Sequence, residues 1–123
     1  MTNGCEWVVD AGGCDASALT SQALLEALFA DMVEALELHP VAPAMWRQFP
    51  GPGGITGLVL LAESHLAVHT YPEFGTLTLN LFCCRPRPDY PFERELRERM
   101  GAGCVTVRRL ERAVGAMVEA TVP

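Results

Sequence analysis

Two neighbouring segments, His65 to Tyr71 and Thr76 to Phe82, alternate apolar and polar residues almost one for one. Successive side chains on an extended strand point to opposite faces, so a period of two commits both segments to β-strands. Leu66 and Val68 fall on one face and His65, His69 and Tyr71 on the other. Leu77, Leu79 and Leu81 likewise oppose Thr78, Asn80 and, continuing the count, Cys84. Strands with one leucine face and one polar face belong to a sheet packed on one side, with helices on the leucine side.

The chain supplies two such helices. From Thr20 to Leu38, Leu25, Leu28, Phe29, Met32, Val33 and Leu36 recur at helical spacing; Thr20 or Ser21 can cap the start, and Pro40 and Pro43 forbid continuation. A second helix is predicted from Pro91 to Met100, with Gly101 as its stop, a buried stripe of Phe92, Leu96 and Met100, and Glu93–Arg97 and Glu95–Arg99 pairs outside. Glu6 to Asp10 reads as a first strand ended by Gly12-Gly13, Ala44 to Phe49 as another, and Pro50-Gly51-Pro52-Gly53-Gly54 as an obligatory turn. Ile55 to Ala62 is apolar on both faces, which predicts a central strand, and Cys104 to Leu110 is the last strand. The predicted order is β-α-β-β-β-β-α-β, an α+β two-layer sandwich: a mostly antiparallel sheet with two helices on one face. The opposite face, with His65, His69, Tyr71 and Cys84, calls for a ligand or a dimer partner.

Half of the 123 residues are apolar, which rules against disorder, and the length predicts a single domain over 1–123. All nine basic residues are arginine. Without lysine the chain cannot form a pyridoxal Schiff base or the lysine contact of a phosphate-cradling loop. A net charge of −6 argues against nucleic acid as a partner. Five cysteines, an odd number with no regular framework and no secretory signal before them, predict a reducing cytoplasm. The longest strongly apolar stretch, around Leu58 to Ala62, is far short of the ~20 residues that span a bilayer, so no membrane association is expected.

Residues with chemical potential cluster between 49 and 84. Glu63-Ser64 sits at a tight connection between strands with no glycine or proline to ease it; it reads as an ordinary polar turn or as a strained bond. His65 and His69 on a strand would lie roughly 13 Å apart, too far to share a metal ion, so no bound metal is expected. His65 reads as a hydrogen-bonded structural residue and His69 as an acid-base candidate. Of the adjacent Cys83 and Cys84, alternation buries the first and leaves the second as the available thiol. Phe49, Tyr71 and Phe82 are core residues or a stacking platform for a flat ligand. A Gly-x-Ser-x-Gly nucleophile elbow is absent.

In order, the run from Gly57 to Gly75, with Glu63-Ser64-His65-Leu66 and His69-Thr70-Tyr71-Pro72-Glu73-Phe74-Gly75, followed by Leu81-Phe82-Cys83-Cys84, closely resembles the small prokaryotic S-adenosylmethionine decarboxylases. That family shows Glu-Ser-His-Leu, then His-Thr-(Trp/Tyr)-Pro-Glu-(Tyr/Phe)-Gly, then Asp-x-Phe-x-Cys. Gly13-Cys14-Asp15 is similar too, and the length fits.

The resemblance implies a proenzyme that cuts itself between Glu63 and Ser64 into residues 1–63 (β chain) and 64–123 (α chain), turning Ser64 into a pyruvoyl group. That carbonyl, in place of bound pyridoxal phosphate, would form a Schiff base with the substrate amine and drive loss of carbon dioxide on the way to spermidine. By the same resemblance His69 is the processing base, Thr56 stands where an assisting serine is frequent, and Cys84 is the proton donor. Phe49 and Tyr71 would stack the adenine, and Glu73 would take the ribose hydroxyls. It further implies a homodimer of αβ pairs, each chain bound to its own cleaved partner, with sites near the interface and no need of putrescine or metal. The cut falls on a charge boundary: residues 1–63 hold Arg47 against eight acids, a net of −7, and residues 64–123 eight arginines against seven acids, a net of +1.

Three positions depart from the family pattern. Asn80 stands in place of the usual Asp, Cys83 in place of Thr, and Glu6 near a frequent His. Relatives that decarboxylate ornithine or arginine keep the same chemistry open for those substrates. A non-catalytic reading, an unprocessed regulatory paralogue, is also open.

Overall fold

The computed structural model describes residues 3–115; residues 1–2 and 116–123, and with them both ends of the domain expected over 1–123, lie outside the described residues. The elements in chain order are β1 (Gly4–Gly12), α1 (Ala16–Leu19), α2 (Gln22–Ala35), β2 (Met45–Gln48), β3 (Ile55–Leu60), β4 (Ser64–Tyr71), β5 (Thr76–Cys83), α3 (Phe92–Met100) and β6 (Cys104–Arg112). One six-stranded sheet runs in the order β2-β3-β4-β5-β1-β6, and every neighbouring pair is antiparallel. The α+β architecture matches the sequence-based expectation, with one addition: α1 is a single turn, too short to leave a periodic signature.

Alternation decides which side is covered. Trp7, Leu66, Val68, Leu77, Leu79 and Leu81 are buried from the sheet, meeting Leu25, Leu28 and Met32 of α2 and Phe92, Leu96 and Met100 of α3 in one continuous core. Ser21 caps α2, its hydroxyl accepting from the Leu24 N–H at 3.2 Å, and Gly101 ends α3 with a left-handed φ of 69°. Both predicted α3 ion pairs form, but Glu95 is buried rather than outside. It faces α2, where Tyr90 donates to Asp31 and Arg99 reaches both Asp31 (3.6 Å) and Glu95 (2.9 Å).

β3 is an interior strand as its apolar faces predict, paired with β2 on one edge and β4 on the other, but only one of those faces is covered. Ile55 and Val59 enter the core, but Leu58 and Leu60 remain 48% and 61% exposed on the uncovered face. Trp46 of β2 lies over Gly57 so closely that a Cβ there would stand 2.2 Å from the indole, which locks the edge strand to β3. The turn after β2 then brings Phe49 back toward β4, its N–H donating to the Gly54 carbonyl at 2.8 Å. Among the described residues, no helix is long and apolar enough to cross a membrane.

Candidate active site

The connection from β3 to β4 contains no glycine or proline and is held from outside. Leu61 N–H donates to the Ser64 carbonyl at 2.9 Å, Ala62 N–H to the His39 carbonyl at 2.7 Å, and Cys84 N–H to the Glu63 carbonyl at 2.9 Å. Arg85 grips the Glu63 carboxylate with Nε at 2.7 Å and Nη2 at 2.9 Å. Among the described non-glycine residues only Glu37 has positive φ, so left-handed strain is absent at Glu63 and Ser64. The Glu63–Ser64 peptide is instead fixed in place by hydrogen bonds, with a donor already aimed at its carbonyl oxygen.

Ser64 lies opposite Cys83 in the β4–β5 register. Burial pushes the Cys83 thiol up, as does neighbouring Cys5, while the Ser64 hydroxyl and the Arg87 guanidinium act in the opposite direction. Cys84, just past the strand end, is half-buried. A cavity of about 340 Å³ opens here, lined by His39, Glu63, Ser64, Arg85 and Arg87.

At the other end of β4, Thr56 Oγ1 and His69 Nδ1 are 3.0 Å apart, cross-strand partners in the β3–β4 register. That contact engages Nδ1 and leaves Nε2 for proton exchange. A larger cavity, about 460 Å³, is lined by Phe49, Pro52, Thr56, His69, Tyr71 and Glu73. Phe49 and Tyr71 are both part-exposed on it, and the Arg47 guanidinium lies over the Phe49 ring at 5.0 Å.

The candidate residues therefore fall into two groups: Glu63, Ser64 and Cys84 at one end of the sheet, and Phe49, Thr56, His69, Tyr71 and Glu73 at the other. Five residues at ~3.3 Å each separate Ser64 from His69 by roughly 16 Å, and their odd spacing sets them on opposite strand faces. A single chain does not bring the serine to the histidine.

Between the groups the open face carries a polar network. Asn80 Nδ2 donates to Glu6 at 2.6 Å, its Oδ1 meets His65 Nε2 at 3.2 Å, and Arg112 binds the other Glu6 oxygen. Glu6 and Asn80, two of the three positions that depart from the family pattern, thus touch: a carboxylate is supplied beside Asn80 from the neighbouring strand. The Asn80 hydrogen bond, with Arg112 beside it, holds the Glu6 carboxyl below its ordinary value against the opposing effect of burial. His65 is hydrogen-bonded and stacked on Phe82, with ring centroids 5.6 Å apart. Among the described residues no three His, Cys, Asp or Glu side chains converge as a metal-ligand set.

The sequence reading missed His39, Arg85, Arg87 and Arg47. For Arg85 and Arg87 a signal existed: two arginines directly after Cys84, spaced by proline, in a chain with nine cations in all. His39 had none, because its loop reaches the site only through the fold.

The profile of the S-adenosylmethionine decarboxylase family matches residues 5–113. An S-adenosylmethionine decarboxylase proenzyme of Acetivibrio thermocellus is 37% identical over 106 residues, covering 83% of this chain and 82% of the relative. One from Archaeoglobus fulgidus is 36% identical over 66 residues, covering 54% of this chain; that match spans 57% of the archaeal protein's length. The crystal structure of the adenosylmethionine decarboxylase from Aquifex aeolicus superposes with a TM-score of 0.72 at 26% identity, covering 90% of this chain and 91% of the other.

Proposed function

This chain belongs to the S-adenosylmethionine decarboxylase family, and from that premise we propose that it cuts itself between Glu63 and Ser64 and then decarboxylates S-adenosylmethionine. The observation that carries the reading is the Cys84 N–H, donating at 2.9 Å to the carbonyl oxygen that self-cleavage must polarise.

In the cut, Ser64 Oγ adds to the Glu63 carbonyl carbon. The oxygen gains negative charge beside the Cys84 N–H, the C–N bond breaks and the nitrogen takes a proton, leaving an ester. Loss of the Ser64 Cα proton then breaks the Cβ–O bond and frees the Glu63 carboxylate. The dehydroalanine left at 64 tautomerises, adds water and releases ammonia, giving a pyruvoyl end. The site fits that group: Ser64 is part-exposed on a cavity of about 340 Å³, with the Cys84 backbone hydrogen-bonded next to it. Once formed, its carbonyl supplies an acceptor for the substrate amine and an electron sink as carbon dioxide leaves. In this reading Cys84, half-buried just past the end of β5, supplies the thiol that returns a proton to the product carbon. Phe49 and Tyr71 flank the adenine, and Glu73 accepts from the ribose hydroxyls.

The reading requires a second copy. Thr56, His69 and the Phe49–Tyr71–Glu73 cavity lie at the end of the sheet away from Ser64 and Cys84. A twofold axis crossing β4 between two open sheet faces carries each chain's His69 end over its partner's Ser64 end. The same packing covers Leu58, Leu60 and Met45, the last 74% exposed. A homodimer of cut pairs with each site shared between subunits follows. Five free cysteines, three of them buried, fit a reducing cytoplasm.

The test is intact mass under denaturing conditions, followed by carbon dioxide release. The expected result is two fragments, 1–63 and 64–123, with Ser64→Ala remaining one chain and carbon dioxide released from S-adenosylmethionine. Release from ornithine or arginine instead would move the substrate assignment and leave the cut standing; a single uncut native chain would refute both.

A further inference from the structure

The cavity beside Ser64 holds more positive charge than the intact chain uses. Arg85 already satisfies the Glu63 side-chain carboxylate through two contacts. Arg87 lines the same cavity, and its Nε is buried with no hydrogen-bond partner among the described residues. A buried guanidinium N–H without an acceptor is costly, and such a group calls for a ligand that the intact chain does not provide. Arg87 is held in position from behind: its carbonyl accepts from Arg109 Nη2 at 3.1 Å, and Arg109 is tied to Asp89 at 2.6 Å.

Self-cleavage, on the reading above, creates that ligand. The neutral carbonyl of Glu63 becomes an α-carboxylate, while the Ser64 nitrogen departs as ammonia and leaves no compensating ammonium. One negative charge therefore appears in a cavity that Arg87, with its buried and unpaired Nε, also lines. We propose that Arg87 is a positioning residue that receives the new α-carboxylate of Glu63, with Arg85 keeping the side-chain carboxylate, so that two arginines of the 64–123 fragment clamp the C-terminus of the 1–63 fragment. Charge-assisted contacts with a planar carboxylate suit arginine's paired donors. The clamp acts after the cut; before it, only the Arg85 half is engaged.

That timing separates the clamp from an ordinary structural contact. Arg87→Met and Arg87→Lys are compared with the native residue in two backgrounds, the self-cut protein and uncut Ser64→Ala. Release of the 1–63 fragment in dilute urea is followed by native mass spectrometry, with denaturing intact mass reporting the cut. The expected result is release about tenfold faster for cut Arg87→Met, partly rescued by Arg87→Lys and steepened by salt, with no change in the urea midpoint of Ser64→Ala. Equal release from cut native and cut Arg87→Met would overturn the clamp while leaving self-cleavage intact. An equal loss of stability in the uncut background would also overturn it, as would failure of both variants to cut. A native protein that stays one chain removes the clamp together with the self-cleavage reading.

Discussion

The backbone N–H of Cys84 donates to the carbonyl oxygen of Glu63 across 2.9 Å, joining the end of β5 to the turn before β4. In the proposed reaction this one residue serves two steps, its backbone the cut and its side chain the later proton return. Substitution separates them. Cys84→Ala keeps the N–H, so it continues to yield both fragments but loses most carbon dioxide release. Cys84→Pro removes the donor, and loss of one oxyanion contact slows the cut by about 100-fold or more. A time course of intact mass on both variants checks this, with circular dichroism confirming that the proline variant folds.

Ser64 and His69 occupy opposite ends of β4, so the proposed site, which draws on both, requires two chains. Neither Ser64→Ala nor His69→Ala is expected to cut by itself. Coexpressed, they form mixed dimers in which one site combines an intact Ser64 from the His69→Ala chain with an intact His69 from the other. Random pairing then cuts about a quarter of all chains, every one of them carrying His69→Ala. Mass spectrometry distinguishes the two chains directly, and absence of cut His69→Ala chains would place the site within one subunit.

Local pattern made the elements readable, and what depends on assembly stayed hidden. The period of two in β4 and β5 assigns every side chain of those strands to its face, because pleating is a property of the strand alone. Two apolar faces predict an interior strand for β3, and it is paired on both edges, yet Leu58 and Leu60 face outward; apolar side chains signal something to cover them without saying whether it is a helix layer or another molecule. The pairing of Glu95 with Arg99 is a helix-surface pattern and predicts an exposed carboxylate; nothing local reveals that Asp31 of α2 comes against the same arginine. The two-ended division of the candidate residues is likewise invisible in their linear order, where Ser64 and His69 are near neighbours.

The five thiols differ in access, which orders their reactivity. Cys104 is exposed and Cys84 half-buried, whereas Cys5, Cys14 and Cys83 are buried. Burial also pushes the Cys14 and Cys83 thiols up, lowering their thiolate fraction further. Brief treatment with iodoacetamide near neutral pH is expected to label Cys104 and Cys84, with Cys83 modified only after unfolding. Peptide mapping reads the order, and early labelling of Cys83 would contradict its buried place beside Ser64.

Glu6 gives the sheet face a pH dependence with a defined sign. Its carboxyl lies below the ordinary glutamate value of 4.5, first through the Asn80 hydrogen bond and then through Arg112, with burial opposing. A depressed folded-state pKa means that the contribution is fully present above the ordinary value and is lost as pH falls through the lower folded value. Glu6→Gln keeps an oxygen to accept from Asn80 while removing the charge that Arg112 faces. At neutral pH the variant is expected to melt a few degrees below the native protein. The gap should hold down to about pH 5 and then narrow as the native carboxylate takes up its proton. Arg112→Met should reproduce the same pH-dependent gap, since it removes the charge partner, and the double variant should add little to either single one. Thermal melts of the three variants from pH 3 to pH 7 check this; a gap that widens on acidification would mean that Glu6 is held by burial rather than by its partners.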